Sequence, residues 1–189
     1  TFDNKNVGSS KAVTVNSVSL ADGSNGGLAA NYSLSTGQTT TANITPKTLT
    51  ATASSSDKVY DGLTGATTTL TFSGLVGSET LGQTVGSTFN NKNVGTGKTV
   101  TVNSITLADG TNGGLAANYS ISTGQTTTAD VTAKALSVSG ITASNKTYDG
   151  NTVATLNTGS VTYTGLVSGD VFNGTYTGAF SDKNVGCLL

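Results

Sequence analysis

The sequence predicts an all-β protein built from small antiparallel domains in tandem, and three observations carry that prediction. Apolar and Thr-rich positions alternate with the period of a strand, turn residues interrupt them every few positions, and whole segments recur almost unchanged along the chain. "TFDNKNVG" at Thr1–Gly8 returns as "TFNNKNVG" at Thr88–Gly95, an offset of 87, and as "AFSDKNVG" at Ala179–Gly186, a further 91 residues on. The blocks "DKVYDG" (Asp57–Gly62) and "NKTYDG" (Asn145–Gly150) place their tyrosines 88 apart. A period of 87–91 residues exceeds the roughly 20–50 residues of a solenoid turn and suits a self-contained β domain, either an immunoglobulin-like sandwich or a β-grasp-like sheet, repeated in tandem.

Setting the boundary after "ITPK" and "VTAK" makes residues 48–134 one complete unit. Residues 1–47 are then the back part of a preceding unit and residues 135–189 the front part of a following one. The expectation is a piece of a longer or processed protein, in keeping with a first residue, Thr1, that is not Met and has no signal pattern after it.

Within the complete unit the elements follow in order. "KVYDG" ends a strand: Tyr60 offers a ring for a small core and a hydroxyl for a backbone group, and Asp61-Gly62 supplies a tight turn, with Asp bonding forward and Gly accepting positive φ. "TTTLTFSGL" sets Leu70 and Phe72 on one face with Thr opposite, the signature of a sheet packed on one side and wet on the other. After the turn "VGSE", "KTVTVNSITL" alternates at Val100 and Val102 and resumes at Ile105 and Leu107, so the skipped step at Asn103–Ser104 predicts a bulge or a change of face. "ADGTNGG" and "STGQ" are further turns, and "GLAANY" between them holds at most one short helical turn. With 6% aromatic residues, the core must lean on each ring; Tyr32, Tyr60, Tyr119, Tyr148, Phe2, Phe89 and Phe180 are the expected anchors.

Composition excludes more chemistry than it suggests. The 189 residues hold 25 Gly, one Pro, one Cys and no His, Trp or Met, and all nine basic residues are Lys. Without His there is no imidazole base and no Ser-His-Asp triad, and Glu79 is the only glutamate, so no enzyme is expected. A net charge of −1 speaks against nucleic acid, and no apolar run is long enough to insert in a membrane. Cys187 alone makes no intrachain disulfide; a crosslinking thiol is its sharpest reading and an incidental residue its plainest.

The segments "KVYDG", "GLVGSETL", "FNNKNVGTGKTVTVNSITL" and "ANYSISTGQTTTADVTAK" together resemble the YDG repeat of large bacterial surface proteins, among them filamentous-haemagglutinin-like adhesins exported by two-partner secretion. The likeness covers nearly the whole chain and departs at "GCLL" (Gly186–Leu189), where a further "TGKTVTV" belongs. The resemblance implies β-rich stalks, Tyr60-Asp61-Gly62 and Tyr148-Asp149-Gly150 as repeat anchors, and a cell-surface or extracellular location.

Three minor chemistries remain as expectations. The sequons at Asn31, Asn43, Asn118, Asn145 and Asn173 are candidate glycosylation sites, although such triplets arise readily in an Asn/Thr-rich chain. Calcium would have to be recruited by Asp22, Asp61, Asp109 or Asp149, which are isolated in sequence and read better as turn formers, so no cofactor is expected. A Lys–Asn isopeptide would be sought at Lys58, Lys92 and Asn93. In function the sequence points first to a structural and adhesive stalk whose partners are neighbouring repeats. An alternative is a filament subunit joined head-to-tail to copies of itself, because the C-terminal segment lacks what the N-terminal segment carries. A second alternative is a carbohydrate-binding module in which Tyr32 and Tyr119 stack on host-cell or matrix glycans.

Overall fold

The computed structural model describes residues 1–186, so the expectation for Cys187 lies outside the described residues. The protein is all-β: two three-residue 3-10 turns, Ala29–Asn31 and Ala116–Asn118, are the helical segments among the described residues, both inside "LAANY". Each is closed at its start by an aspartate seven residues upstream, Asp22 Oδ1 accepting from the Ala29 N–H at 2.6 Å and Asp109 Oδ1 from the Ala116 N–H at 2.8 Å. The chain divides into two compact units, one of residues 1–56, 65–89 and 99–128, the other of residues 57–64, 90–98 and 129–186.

In the first unit, Leu81–Phe89 pairs antiparallel with the long strand Gly95–Asp109, from Leu81 opposite Asp109 to Phe89 opposite Val100. Gly65–Ala66 extends the ladder on the far side of Leu81–Phe89. Gly86 faces Ser104 and Ser87 faces Val102, so Asn103 is the extra residue, and its side-chain amide donates across the ladder to Thr88 Oγ1 at 2.9 Å. The skipped alternation at Asn103–Ser104 is thus a bulge. Gly86 has to be small here, because a Cβ on it would collide with Ser104 Oγ. A second antiparallel pair joins Thr50–Ser55 to Thr68–Ser73. Leu49, Leu70, Phe89, Val100, Val102 and Tyr119 are this unit's buried apolar residues.

The residues before Lys47 belong to this unit too, but they build less. Gly8–Thr14 pairs with Thr39–Ile44 in a sheet of two strands, and the stretch from Val15 to Asp22 is not strand.

In the second unit, Lys58–Val59 pairs with Val131–Thr132, and Val131 and Ala129 are buried. Short antiparallel ladders follow: Ser137–Ser139 with Thr162–Thr164, Thr142–Ala143 with Leu156–Asn157, and Val153–Ala154 with Gly178–Ala179.

Two short ladders correct the wholly antiparallel expectation. Val131–Thr132 runs parallel to Lys58–Val59, and Tyr119–Ser120 runs parallel to Lys47–Thr48. Each joins segments about seventy residues apart, ample chain for the crossover that a parallel pair requires.

The seven expected aromatic anchors also divide. Phe89 and Tyr119 are buried and Tyr60 is half-buried. Phe2, Tyr32, Tyr148 and Phe180 are exposed, which corrects their assignment to a core. The reason is the phase of the repeat: the part of the fold that covers Tyr119 or Phe89 has no counterpart beside Tyr32, Phe2 and Phe180, and Tyr148 lacks the strand that Thr132 lays beside Tyr60.

Candidate functional site

The side chains of the recurring motifs gather where repeats meet. The YDG turn is built on the same pattern in both copies. Lys58 Nζ meets Asp61 Oδ1 at 2.7 Å and donates to the Leu63 carbonyl at 3.1 Å, while the Leu63 N–H donates back to Asp61 Oδ1 at 2.9 Å. In the later copy Lys146 Nζ meets Asp149 Oδ1 at 2.7 Å and donates to the Asn151 carbonyl, and the Asn151 N–H returns to Asp149 Oδ1 at 3.1 Å. Lys58 holds the Asp61 carboxyl below its ordinary range, with the Leu63 amide adding to it; Lys146 and the Asn151 amide do the same for Asp149. Gly62 and Gly150 have φ of +81° and +80°, the left-handed region that a Cβ penalises. Lysine, aspartate and glycine in K-x-Y-D-G are therefore one clasp.

Tyr60 extends from that clasp into the next repeat. Its hydroxyl donates to Asp170 Oδ2 at 3.0 Å, and a Cβ added to Gly62 would stand 2.8 Å from Val167 Cγ1. Residues 165–170, "GLVSGD", are the later copy of "GLVGSE" at 74–79. The glycine of the motif thus serves the turn and leaves room for the following repeat.

The preceding junction uses the earlier copy of the same loop. Lys5, from "DNKNVG", meets Glu79 Oε1 at 2.6 Å, and the Tyr119 hydroxyl donates to Glu79 Oε2 at 2.6 Å while accepting from the Val76 N–H at 3.1 Å. Asn118 ties the same "KNVG" segment twice, its Oδ1 accepting from the Val7 N–H at 2.8 Å and its Nδ2 donating to Asn6 Oδ1 at 3.1 Å. Within the complete repeat itself the Leu49 N–H donates to the Ser120 carbonyl at 2.8 Å.

Lys5 and then Tyr119 hold the Glu79 carboxyl below its ordinary range, and Glu79 in turn raises both the Lys5 ammonium and the Tyr119 phenol. The Glu79 side chain is 8% exposed and that of Lys5 67%. Attraction to so exposed a lysine is largely screened by water; the larger effect is that a buried carboxylate loses a partner if Lys5 or Tyr119 is removed. In the sequence Glu79 stands out only as the sole glutamate. That solitude, in a loop repeated as "SGD", was the available signal of its role.

The remaining candidates fall into place individually. Asp22 and Asp109 close the 3-10 turns, Asp61 and Asp149 close the YDG clasps, and no group of three or more metal-ligating side chains gathers among the described residues. Among the sequons, Asn31, Asn43, Asn145 and Asn173 are exposed. Asn118 is half-buried with both ends of its amide bonded, which corrects its candidacy for a sugar. Lys58 is engaged by Asp61, and Lys92 and Asn93 are exposed, so the buried lysine an isopeptide needs is not at those positions. Tyr119 is 6% exposed and cannot stack on a glycan; Tyr32 is 68% exposed, among Leu20, Leu28 and Leu34.

An all-β repeat protein whose recurrent turn clasps and polar loops meet at repeat junctions is the class these features define. The chain belongs to the YDG domain family, which matches residues 45–129 and again residues 132–187. No curated protein and no solved structure matches it at a significant level.

Proposed function

We propose that the chain is a non-enzymatic structural and adhesive stalk, in which tandem YDG domains of sandwich or β-grasp type form a rod or fibre on the outside of a bacterial cell. The observation that carries this reading is that the motifs that recur are spent on junctions. Lys5, Asn6 and Val7 of one copy bond Glu79 and Asn118 of the next, and Tyr60 of that copy bonds Asp170 of the one after. Hydrogen bonds between neighbours limit their relative rotation, as stiffness over many repeats requires. The repetition of whole units, with little variation between copies, suits a part valued for its length.

Small-angle X-ray scattering on chains of one, two and four complete repeats tests the proposal. A rod predicts a constant cross-section and a length that grows in proportion to repeat number. A radius of gyration growing as the compact-domain power law, with an exponent of about 0.38, would defeat it. Adhesion is tested separately on immobilised host-cell or matrix glycans, where an exported adhesive stalk retains material that a stalk without adhesive role does not.

A further inference from the structure

The later copy departs from the complete repeat at four positions that act together. At an offset of 91 residues, Phe72, Leu81, Gln83 and Val85 are replaced by Tyr163, Phe172, Gly174 and Tyr176. In the complete repeat the Gln83 side chain grips one residue of the strand Thr68–Ser73 twice. Its Oε1 accepts from the Leu70 N–H at 3.1 Å, and its Nε2 donates to the Leu70 carbonyl at 2.7 Å. The later copy has no amide at that position. Instead the Tyr163 and Tyr176 hydroxyls meet in a hydrogen bond, and Gly174 leaves the space for them, since a Cβ on it would collide with both. Phe172 lies tilted against Tyr163 with ring centres 6.3 Å apart, which limits the swing of that ring.

The other four tyrosines are placed differently. The Tyr60 and Tyr119 hydroxyls each donate to a carboxylate, and Tyr32 and Tyr148 are exposed. Tyr163 and Tyr176 are half-buried, thirteen residues apart in sequence, and joined hydroxyl to hydroxyl. We propose that Tyr163 and Tyr176 form an oxidative crosslinking site, at which hydrogen peroxide used by a haem peroxidase joins the two rings as a dityrosine.

Each phenol gives up one electron and its hydroxyl proton, and the unpaired electron of each phenoxyl spreads to the ring carbons beside the oxygen. Two such carbons, one from each ring, form a C–C bond. Their hydrogens then pass as protons to the two oxygens, which restores both phenols. Two electrons and two protons leave the protein, and one hydrogen peroxide takes them up to become two waters. In the product the two hydroxyls flank the new bond and face each other, so the contact present before oxidation is the one the product keeps. Holding the rings together removes the encounter that separate tyrosines need before they couple. Tyr163 lies in the ladder of Thr162–Thr164 with Ser137–Ser139, and Tyr176 lies just before Gly178–Ala179, which pairs with Val153–Ala154. The bond therefore ties two short ladders covalently, where the complete repeat relies on the hydrogen bonds of Gln83. This inference stands apart from the stalk proposal, since the crosslink closes within one repeat whatever the repeats build.

The test uses the full chain, diluted so that separate chains rarely meet, and treated with hydrogen peroxide and a haem peroxidase. A monomer lighter by two hydrogens and carrying the fluorescence of a biphenol is expected. Cleavage on the N-terminal side of aspartate isolates Tyr163 in residues 149–169 and Tyr176 in residues 170–181, and mass spectrometry is expected to find these two peptides joined. Tyr163→Phe and Tyr176→Phe should each lower the yield of that link roughly tenfold or more, while Tyr32→Phe and Tyr148→Phe leave it unchanged. Unfolding the chain in urea before oxidation should lower the yield severalfold. An equal yield from the unfolded chain would make the contact irrelevant and overturn the proposal. Links spread evenly over the other tyrosines, or tyrosines oxidised without the 163–176 link, would overturn it too. Peptide mapping of the unsubstituted chain needs no variant to fold, so that result stands by itself.

Discussion

Tyr119 and Tyr32 occupy the same place in nearly identical sequence, "LAANYSIS" and "LAANYSLS", yet the first is 6% exposed and the second 68%. The contrast holds for the whole molecule. Every buried apolar side chain among the described residues lies between Leu49 and Val131, in the complete repeat, and the partial copies on either side bury none. Strands divide in the same way. Gly95–Asp109 is fifteen residues long with Leu81–Phe89 beside it; its earlier copy is strand only over Gly8–Thr14, where Thr39–Ile44 is its partner. Identical local sequence gives different structure because a strand and a core are properties of pairs of segments, and half a repeat supplies one member of each pair.

The largest effect that sharpens this contrast is at Val102, which is 1% exposed. Val102→Asp places an unpaired carboxylate in the core and should cost more than about 4 kcal/mol, while the matched Val15→Asp, at a half-exposed site, should cost less than about 1 kcal/mol. Urea unfolding of both variants checks it, and equal losses would break the comparison. Next comes Tyr119→Phe, which strips a hydrogen bond from Glu79 and an acceptor from the Val76 amide. We expect a fall of roughly 5 °C in Tm by calorimetry, against no measurable change for Tyr32→Phe.

The two YDG glycines give a finer test. Gly150→Ala meets nothing within 4 Å and should cost about 1 kcal/mol for its backbone alone. Gly62→Ala meets Val167 as well and should cost about 1–2 kcal/mol more. Equal losses would mean that the neighbouring repeat does not press on the turn.

The smallest expected effect is the pH dependence of the Glu79 junction. Its folded pKa lies below the unfolded value, so its contribution is present above the unfolded carboxylate range and is lost as pH falls through the folded value. At the other end, the raised Lys5 and Tyr119 values keep their contributions intact below their unfolded pKa and lose them as pH rises through the folded ones. Melting of the unsubstituted chain and of Glu79→Gln should therefore differ near pH 7 and converge at strongly acidic pH; a constant difference would remove the carboxylate from the account.

What the sequence made legible was what short-range chemistry decides. Asp61 bonding forward, Gly62 at positive φ, the bulge at Asn103 and the single turn in "GLAANY" each follow from a few adjacent residues. The repeat itself was legible because copies can be laid side by side. The exposure of Tyr148 and Phe180 was not, since it depends on residues that would lie a whole strand away. Nor was the parallel course of Val131 beside Lys58, which joins the two ends of a repeat. The bond between Lys5 and Glu79 crosses from one repeat to the next, where periodicity within either repeat carries no information.

The bulge at Asn103 has a consequence for error. A sheet whose wet face is mostly threonine looks much the same after sliding two residues along its neighbour, since the side chains return to the same faces. Sequence alternation alone cannot distinguish those alignments. Asn103 breaks the degeneracy: only one alignment sets Ser104 opposite Gly86, where no Cβ obstructs it, leaves the extra residue beside that pair, and brings the Asn103 amide to Thr88. The irregular residue works as an index mark on a ruler whose other divisions are alike.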